Sequence, residues 1–387
     1  MTQPPLGLYI HFPWCRRKCP YCDFNSHAAE GELPERQYVD ALLADLDHEA
    51  GRAGGRPIET VFLGGGTPSL FGAPAIGRLL EGIGGRVSLA ADAEITLEAN
   101  PGTVESGRFE GYRLAGVNRL SLGVQSFDDG LLRALGRIHG AAEARAAARL
   151  ARAAGFDNFN LDLMFGLPGQ TLEQALADVE QAVSLAPTHI SYYQLTLEPN
   201  TLFHRYPPPL PDEDRLWQIQ RAGQELLARN DYRQYEVSAY ARGGFRCRHN
   251  LNYWRFGDYL GIGAGAHGKL TGAGGAVCRS WRHKNPRHYL ATAGSTAVFG
   301  GRQAVAPADL PLEFLMNRLR LREGFPLEEW RRRTGLDPAA LEPGLSACLE
   351  QGLLERVDGC IRCTDSGWNF LDNVLQHFLP RDRALPA

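Results

Sequence analysis

The chain has 387 residues, 44% hydrophobic and 22% charged, with a formal net charge of −3. This is a globular composition, long enough for one large domain and a smaller one, and its charge balance excludes the basic footprint of a nucleic-acid binder. No run of about 18 apolar residues occurs, so no spanning helix is expected, and the start MTQPPLGLYIHF has no basic segment ahead of an apolar one, so no secretory signal is expected.

In chain order, Leu6 to Phe12 reads as a strand that runs into a cysteine-rich loop, and Leu33 to Ala50 follows as a helix with Leu42, Leu43 and Leu46 on one stripe. Further strands are expected at Ile58 to Leu63, Glu94 to Ala99, Asn118 to Val124, Asn158 to Met164 and His189 to Leu195, separated by helical stretches such as Ala141 to Ala154 and Thr171 to Leu185. Strand and helix in alternation predict an α/β fold with a parallel sheet, either a partial (β/α)6 TIM-like barrel or a doubly wound sheet. The chemically interesting residues fall at strand ends, where parallel β/α folds face their ligands, which favours the barrel. After the turn at Pro207 to Pro211 a long helix spans Asp212 to Asn230, and from Leu310 onward helices and a short hairpin predict a small, mainly helical C-terminal domain. The expected organisation is a core over 1–240, a connecting segment over 241–295 and a C-terminal domain over 296–387.

There are eight cysteines, and three of them, Cys15, Cys19 and Cys22, form C-x3-C-x2-C directly after the first strand. Without an export signal, such a cluster points to metal or redox chemistry and to a cytoplasmic protein. Three thiolates on one loop suit three irons of a four-iron, four-sulfur cluster and leave the fourth iron open to a small molecule. Zinc is the competing metal, with His11 or His27 as a fourth ligand. Arg16, Arg17 and Lys18 are expected to help keep the thiolates ionised.

Tyr9-Ile10-His11-Phe12-Pro13 followed by this cysteine spacing resembles the opening of the radical SAM superfamily, and within it the branch that holds oxygen-independent coproporphyrinogen III oxidase and the HemW-type heme chaperones. The resemblance implies a [4Fe-4S] cluster on Cys15, Cys19 and Cys22, with S-adenosylmethionine bound through its amino and carboxylate groups to the fourth iron and cleaved to a 5′-deoxyadenosyl radical. It also implies roles for cofactor-binding residues. Gly65, Gly66 and Thr67, in Gly64-Gly65-Gly66-Thr67-Pro68, would meet the methionyl amino group. Glu98, Gln125 and Asp162 lie at the third, fourth and fifth strands, Arg137 would lie near the cofactor carboxylate, and Tyr9 and the backbone near Tyr21 are further contacts. Gly261-Ile262-Gly263-Ala264-Gly265 resembles a late segment that closes over the cofactor.

Two features divide the branch. The oxidases extend the loop to C-x3-C-x2-C-x-C, and here Phe24 occupies the last position; they also carry a longer N-terminal segment before the tyrosine. His249-Asn250-Leu251-Asn252-Tyr253-Trp254 fits the H-N-x-x-Y-W pattern of the chaperones. A neutral imidazole is a common axial ligand of heme iron, and Tyr253 and Trp254 offer flat faces to a porphyrin. The resemblance therefore implies a heme chaperone that delivers heme to an acceptor, such as a respiratory heme protein at the membrane, with dimerisation and peripheral membrane association as accompanying expectations. The alternatives are coproporphyrinogen III oxidation and radical chemistry on another substrate, and Phe24 weighs against the first. Cys360 and Cys363 are read as structural, and Arg331 to Arg333 as a solvated helix face.

Overall fold

The computed structural model describes residues 3–103 and 106–380. Six parallel strands are laid down in order: β1 (Leu6–Phe12), β2 (Ile58–Gly65), β3 (Leu89–Ala99), β4 (Arg119–Gln125), β5 (Phe159–Phe165) and β6 (His189–Gln194). Each pairs with the next, as in Tyr9↔Phe62 and Asp162↔Ser191. A doubly wound sheet reverses strand order at a switch point. Here the order is sequential, which is the winding of a β/α barrel. Two short antiparallel strands, β7 (Arg233–Glu236) and β8 (Ala239–Ala241), extend the β6 edge. On the other side β9 (Asp258–Ile262) runs parallel to β1, and β10 (His267–Thr271), β11 (Val277–Arg282) and β12 (Phe299–Ala304) follow antiparallel, giving one sheet of 12 strands.

Alternation along the strands explains the layering. Leu120, Leu122, Val124, Leu161, Leu163, Ile190 and Tyr192 are buried in the main apolar cluster with the helices. The intervening residues Ser121, Asn160, Asp162, His189 and Ser191 bond to one another across β4, β5 and β6. The outer layer includes α1 (Glu35–Ala50), α2 (Ala73–Gly84), α3 (Ser106–Leu114), α4 (Asp129–Ala134), α5 (Ala141–Ala153), α6 (Leu172–Ser184) and α7 (Glu213–Arg229). The capping box Thr171-Leu-Glu-Gln174 starts α6: Thr171 Oγ1 accepts from the Gln174 amide at 3.2 Å, and the Gln174 side chain accepts from the Thr171 amide at 3.0 Å.

The segment after β8 is built into the sheet through β9 to β12, more closely than a connector requires. It also contributes a seven-residue helix, α8 (Arg248–Trp254). A second apolar cluster, including Phe314, Trp330, Leu345 and Trp368, joins α9 (Leu310–Arg318) to a three-stranded sheet of β13 (Phe325–Pro326), β14 (Leu354–Val357) and β15 (Cys360–Cys363). Arg331 and Arg332 are exposed, whereas Arg333 is buried, so the three arginines do not form one solvated face. No helix among the described residues is long and apolar enough to cross a membrane.

Candidate functional site

β1 ends at Phe12 and delivers the chain directly into the cysteine loop. Trp14–Cys15 pairs with His27–Ala28, which closes the loop on itself, and the Cys22 amide donates to the Cys19 carbonyl at 3.1 Å. Behind the loop, Tyr9 donates to or accepts from His11 Nδ1 at 2.9 Å, and His11 Nε2 meets the Asn25 carbonyl at 2.8 Å. His11 thus braces the loop from beneath, and burial lowers its pKa to about 4, keeping the ring neutral. Gly263 packs on the other side of His11, and its amide donates to Asp45 at 3.1 Å.

The three thiols line one cavity of about 370 Å³. Each sulfur has a polar neighbour: Thr67 Oγ1 donates to Cys15 at 3.5 Å, Arg137 Nη1 to Cys19 at 3.7 Å, and Ser26 Oγ lies 3.9 Å from Cys22. Burial raises the Cys15 and Cys22 thiols above their ordinary value. Arg16, Arg17 and Lys18 are exposed, and Lys18 donates to the Phe24 carbonyl at 3.2 Å. The cation bonded to a sulfur is Arg137, 118 residues downstream of Cys19, while Lys18 of the loop favours the Cys22 thiolate through its charge and Arg16 and Arg17 border the cavity. Phe24 borders the same cavity.

The triple glycine sits against this loop because nothing larger fits. A Cβ on Gly66 would lie 2.5 Å from the Trp14 carbonyl oxygen and 2.7 Å from that of Phe12, and Gly65 has φ +108°. Thr67 and both glycines line the cavity, as do Tyr21, Glu98, Gln125, Arg137 and Asp162. Glu98 accepts from the Gly65 amide at 3.1 Å. Burial, followed by the neighbouring Asp162, pushes its pKa up to about 8. Asp162 is held by Asn160 Nδ2 at 2.8 Å and Ser121 Oγ at 3.3 Å. Gln125 has φ +70°, a left-handed conformation that non-glycine residues rarely adopt. It is held there from both sides. Its side-chain oxygen accepts from Tyr193 at 2.8 Å, and Asp178 of α6 accepts from Ser126 Oγ at 2.7 Å and from the Phe127 amide at 2.6 Å. Arg137 Nη2 donates to the Gly123 carbonyl at 2.8 Å, which aims the guanidinium along the cavity wall.

Sequence inspection alone missed Ser121, Ser191, Tyr193, Glu236, Ser238 and Arg320 on this wall. A signal existed for three of them, since Ser121, Ser191 and Tyr193 are polar residues at alternate positions of otherwise apolar strands. Tyr9 does not line the cavity. Its ring stacks on Phe62 at 6.4 Å and its hydroxyl serves His11.

His249 lies at the other end of the barrel. Its Nδ1 meets Thr60 Oγ1 at 2.8 Å, its Nε2 meets the Tyr253 hydroxyl at 2.9 Å, and its ring stacks on Phe62 at 5.1 Å. Thr60 and Gly65 are five residues apart on β2, which separates the imidazole from the glycine turn by roughly 17 Å along the strand. Glu94 caps the start of α8, accepting from the His249 amide at 3.0 Å and the Arg248 amide at 3.1 Å. The imidazole is 1% exposed, and burial lowers its pKa to about 3. It borders neither the cysteine cavity nor a second cavity of about 240 Å³ that Tyr253 and Trp254 line, while Trp254 borders both. Cys247 is buried, with its sulfur 3.7 Å from Glu94.

The cavity's donor set fits a [4Fe-4S] cluster with S-adenosylmethionine beside it. Three thiols converge, a glycine cradle excludes any Cβ, and an arginine carries a buried, unpartnered Nε. A zwitterion with a ribose requires a cation, carboxylates and an amide, which Arg137, Glu98 with Asp162, and Gln125 provide.

Comparison with known proteins agrees with this geometry. A model of the radical SAM superfamily matches residues 9–182, and a model of the HemN C-terminal domain matches residues 305–370. The heme chaperone HemW of Escherichia coli (strain K12) is 53% identical over 376 residues, 97% of this chain and 98% of that protein. The heme chaperone HemW of Haemophilus influenzae is 50% identical over 383 residues, 98% of this chain and 99% of that protein. Among solved structures, coproporphyrinogen III oxidase (HemN) from Escherichia coli superposes with a TM-score of 0.82 at 24% identity, covering 97% of this chain and 90% of that one, a likeness of fold.

Proposed function

We propose that this chain, which belongs to the HemW family within the radical SAM superfamily, is a heme carrier that takes up heme and passes it to a heme-requiring acceptor protein. The observation that carries the proposal is full-length identity to two heme chaperones, combined with a cluster loop that ends in Phe24 where the oxidases have a fourth cysteine. The H-N-x-x-Y-W helix, α8, is the proposed place of heme contact, with binding dependent on His249 and on the faces of Tyr253 and Trp254.

At the other end of the barrel, Cys15, Cys19 and Cys22 would hold three irons of a [4Fe-4S] cluster. When bound, that cluster supplies an electron and an open iron for the amino and carboxylate groups of S-adenosylmethionine. Gly65, Gly66 and Thr67 give the methionyl end a surface without side-chain obstruction, and Arg137 offers its charge to the carboxylate. Glu98 and Asp162 accept hydrogen bonds from ammonium or hydroxyl groups, and Gln125, fixed by Tyr193, orients an amide. Tyr21 closes the cavity beside the loop, and Tyr9 acts through His11 as a positioning residue. The proposed setting is cytoplasmic, with the acceptor at the membrane and a homodimer as the working unit.

The test is an anaerobic heme titration of cluster-reconstituted protein, wild type against His249→Ala, followed by visible absorbance. Saturable one-to-one binding, weakened or spectrally altered by the substitution, is the expected result. Absence of specific heme binding in the wild type, together with turnover of coproporphyrinogen III, would overturn the proposal in favour of the oxidase.

A further inference from the structure

Between α4 and α5 lies a loop, residues 135–140, that joins two strand ends to the cysteine loop. Gly136, at φ +71°, packs so closely on the cysteine loop that a Cβ there would lie 2.7 Å from the Pro20 ring. Arg137 reaches Cys19 and the Gly123 carbonyl. His139, two residues further on, is buried with both ring nitrogens engaged: Nε2 donates to the Val124 carbonyl at 3.0 Å, and Nδ1 meets the Asn100 side chain at 3.1 Å. It ties the end of β4 to the end of β3 without lining the cavity itself. Burial, followed by the charge of Arg137, lowers its pKa to about 4, so the ring is neutral at neutral pH.

The bond to Val124 falls at the strained point of the cavity wall. The Ser126 amide donates to the same carbonyl at 3.0 Å and closes a three-residue turn around Gln125. With φ +70° at its centre this is a γ-turn of the rare, strained form. Such a conformation persists only where its surroundings hold it. Asp178 holds the far side of the turn through Ser126 Oγ and the Phe127 amide. His139 is the side chain that holds its near side, at the carbonyl that closes it. Arg137 and His139 thus bond to consecutive carbonyls, those of Gly123 and Val124. The loop and the strand end form one unit, and a shift of either displaces the Gln125 amide and the Arg137 guanidinium together.

We propose that His139 is a positioning residue of the S-adenosylmethionine site: through the Val124 carbonyl it holds the turn that presents Gln125, and through its own loop it fixes the approach of Arg137. The inference rests on the reading of Gln125 and Arg137 as cofactor contacts and deepens it. His139 itself touches neither cofactor nor cluster ligand. Its contribution is to keep an amide on one strand end and a cation on a separate loop in a fixed relation before the cofactor arrives, so that binding does not have to order them.

The experiment is anaerobic equilibrium binding of S-adenosylmethionine to the full-length, cluster-reconstituted protein, with electron paramagnetic resonance of the reduced cluster before and after its addition. It compares wild type with His139→Leu, His139→Gln and Arg137→Gln. His139→Leu removes the bond to Val124 and is expected to weaken binding about tenfold, the equivalent of one lost hydrogen bond, and to change the spectrum at saturating S-adenosylmethionine. Its iron and sulfide content and its cofactor-free spectrum are expected to match wild type. His139→Gln keeps an N–H within reach of the carbonyl and is expected to recover binding to within about threefold of wild type. Should His139→Leu fail to load its cluster, His139→Asn, polar but too short to reach Val124, takes its place with the same expectation. Wild-type affinity and spectrum in the variant that lacks the bond, with Arg137→Gln weakened, overturn this inference while the reading of the cofactor contacts stands. Wild-type affinity in Arg137→Gln as well overturns both.

Discussion

Replacing Glu98 by glutamine separates what the cavity requires for binding from what it costs in stability. The carboxyl is buried beside Asp162, and its pKa is raised from 4.5 to about 8. At neutral pH the folded chain therefore holds a proton there that the unfolded chain has released. The sign follows directly. A carboxyl with a raised folded pKa opposes folding increasingly as pH climbs from its unfolded value to its folded one, and the penalty levels off above that. At pH 7 a shift of this size corresponds to at most about 3 kcal/mol. Because one side of Glu98 borders the cavity, water there screens part of it, and about 2 kcal/mol is the expected effect. Glutamine keeps an oxygen for the Gly65 amide and removes the titration. Glu98→Gln is thus expected to stabilise the cofactor-free protein, little at pH 5 and by about 2 kcal/mol at pH 7 to 8, while weakening S-adenosylmethionine binding to the reconstituted protein. Urea denaturation across that pH range, paired with equilibrium binding of S-adenosylmethionine, measures both. A variant as stable as wild type at every pH, or less stable at pH 8, would refute the reasoning.

Two further perturbations test the frame around the site. Arg282 is buried, donates to Asp45 at 2.8 Å and to Glu49 at 3.0 Å, and lies 4.2 Å from the Phe299 ring. Arg282→Met leaves the buried Asp45 without a cation, while Glu49 keeps Arg52 at 2.9 Å, and is expected to lose about 3 kcal/mol in urea denaturation; a loss below about 1 kcal/mol would show that Asp45 is held by the Gly263 amide and the Tyr289 hydroxyl alone or takes up a proton. Gly66→Ala drives a methyl into two backbone carbonyls that cannot yield without moving the cysteine loop. Iron and sulfide content after reconstitution should fall well below that of wild type while urea stability changes by no more than about 3 kcal/mol, and full cluster loading would show that the loop tolerates the shift.

Part of this molecule is legible in one dimension because local rules act on local residues. The C-x3-C-x2-C loop, the glycine turn after β2 and the alternation of strand and helix each depend on spacing within a few positions, and the structure places them at the expected strand ends. Strand boundaries are also close, except β3, which begins at Leu89 and not at Glu94: Leu89 pairs with Ile58, and a register irregularity separates it from the regular ladder that starts at Glu94.

Other features come only from the tertiary arrangement, since they join residues that the chain keeps far apart. Arg137 beside Cys19, Asn25 donating to the Ala264 carbonyl, and Glu94 capping α8 span 118, 239 and 155 positions respectively. The polar row inside β4, β5 and β6 could be read as period-two alternation, but its purpose needs the barrel to close around it. The H-N-x-x-Y-W motif shows the same division most clearly. Its letters were visible in the sequence as a histidine beside two aromatics. Only the packing of α8 against β1 and β2 turns His249 inward onto Thr60 and leaves Tyr253 and Trp254 to face the second cavity. His249 and Tyr253, four positions apart, share one face of this helix and meet at 2.9 Å, and what each touches beyond the other is decided by what the rest of the chain sets against them.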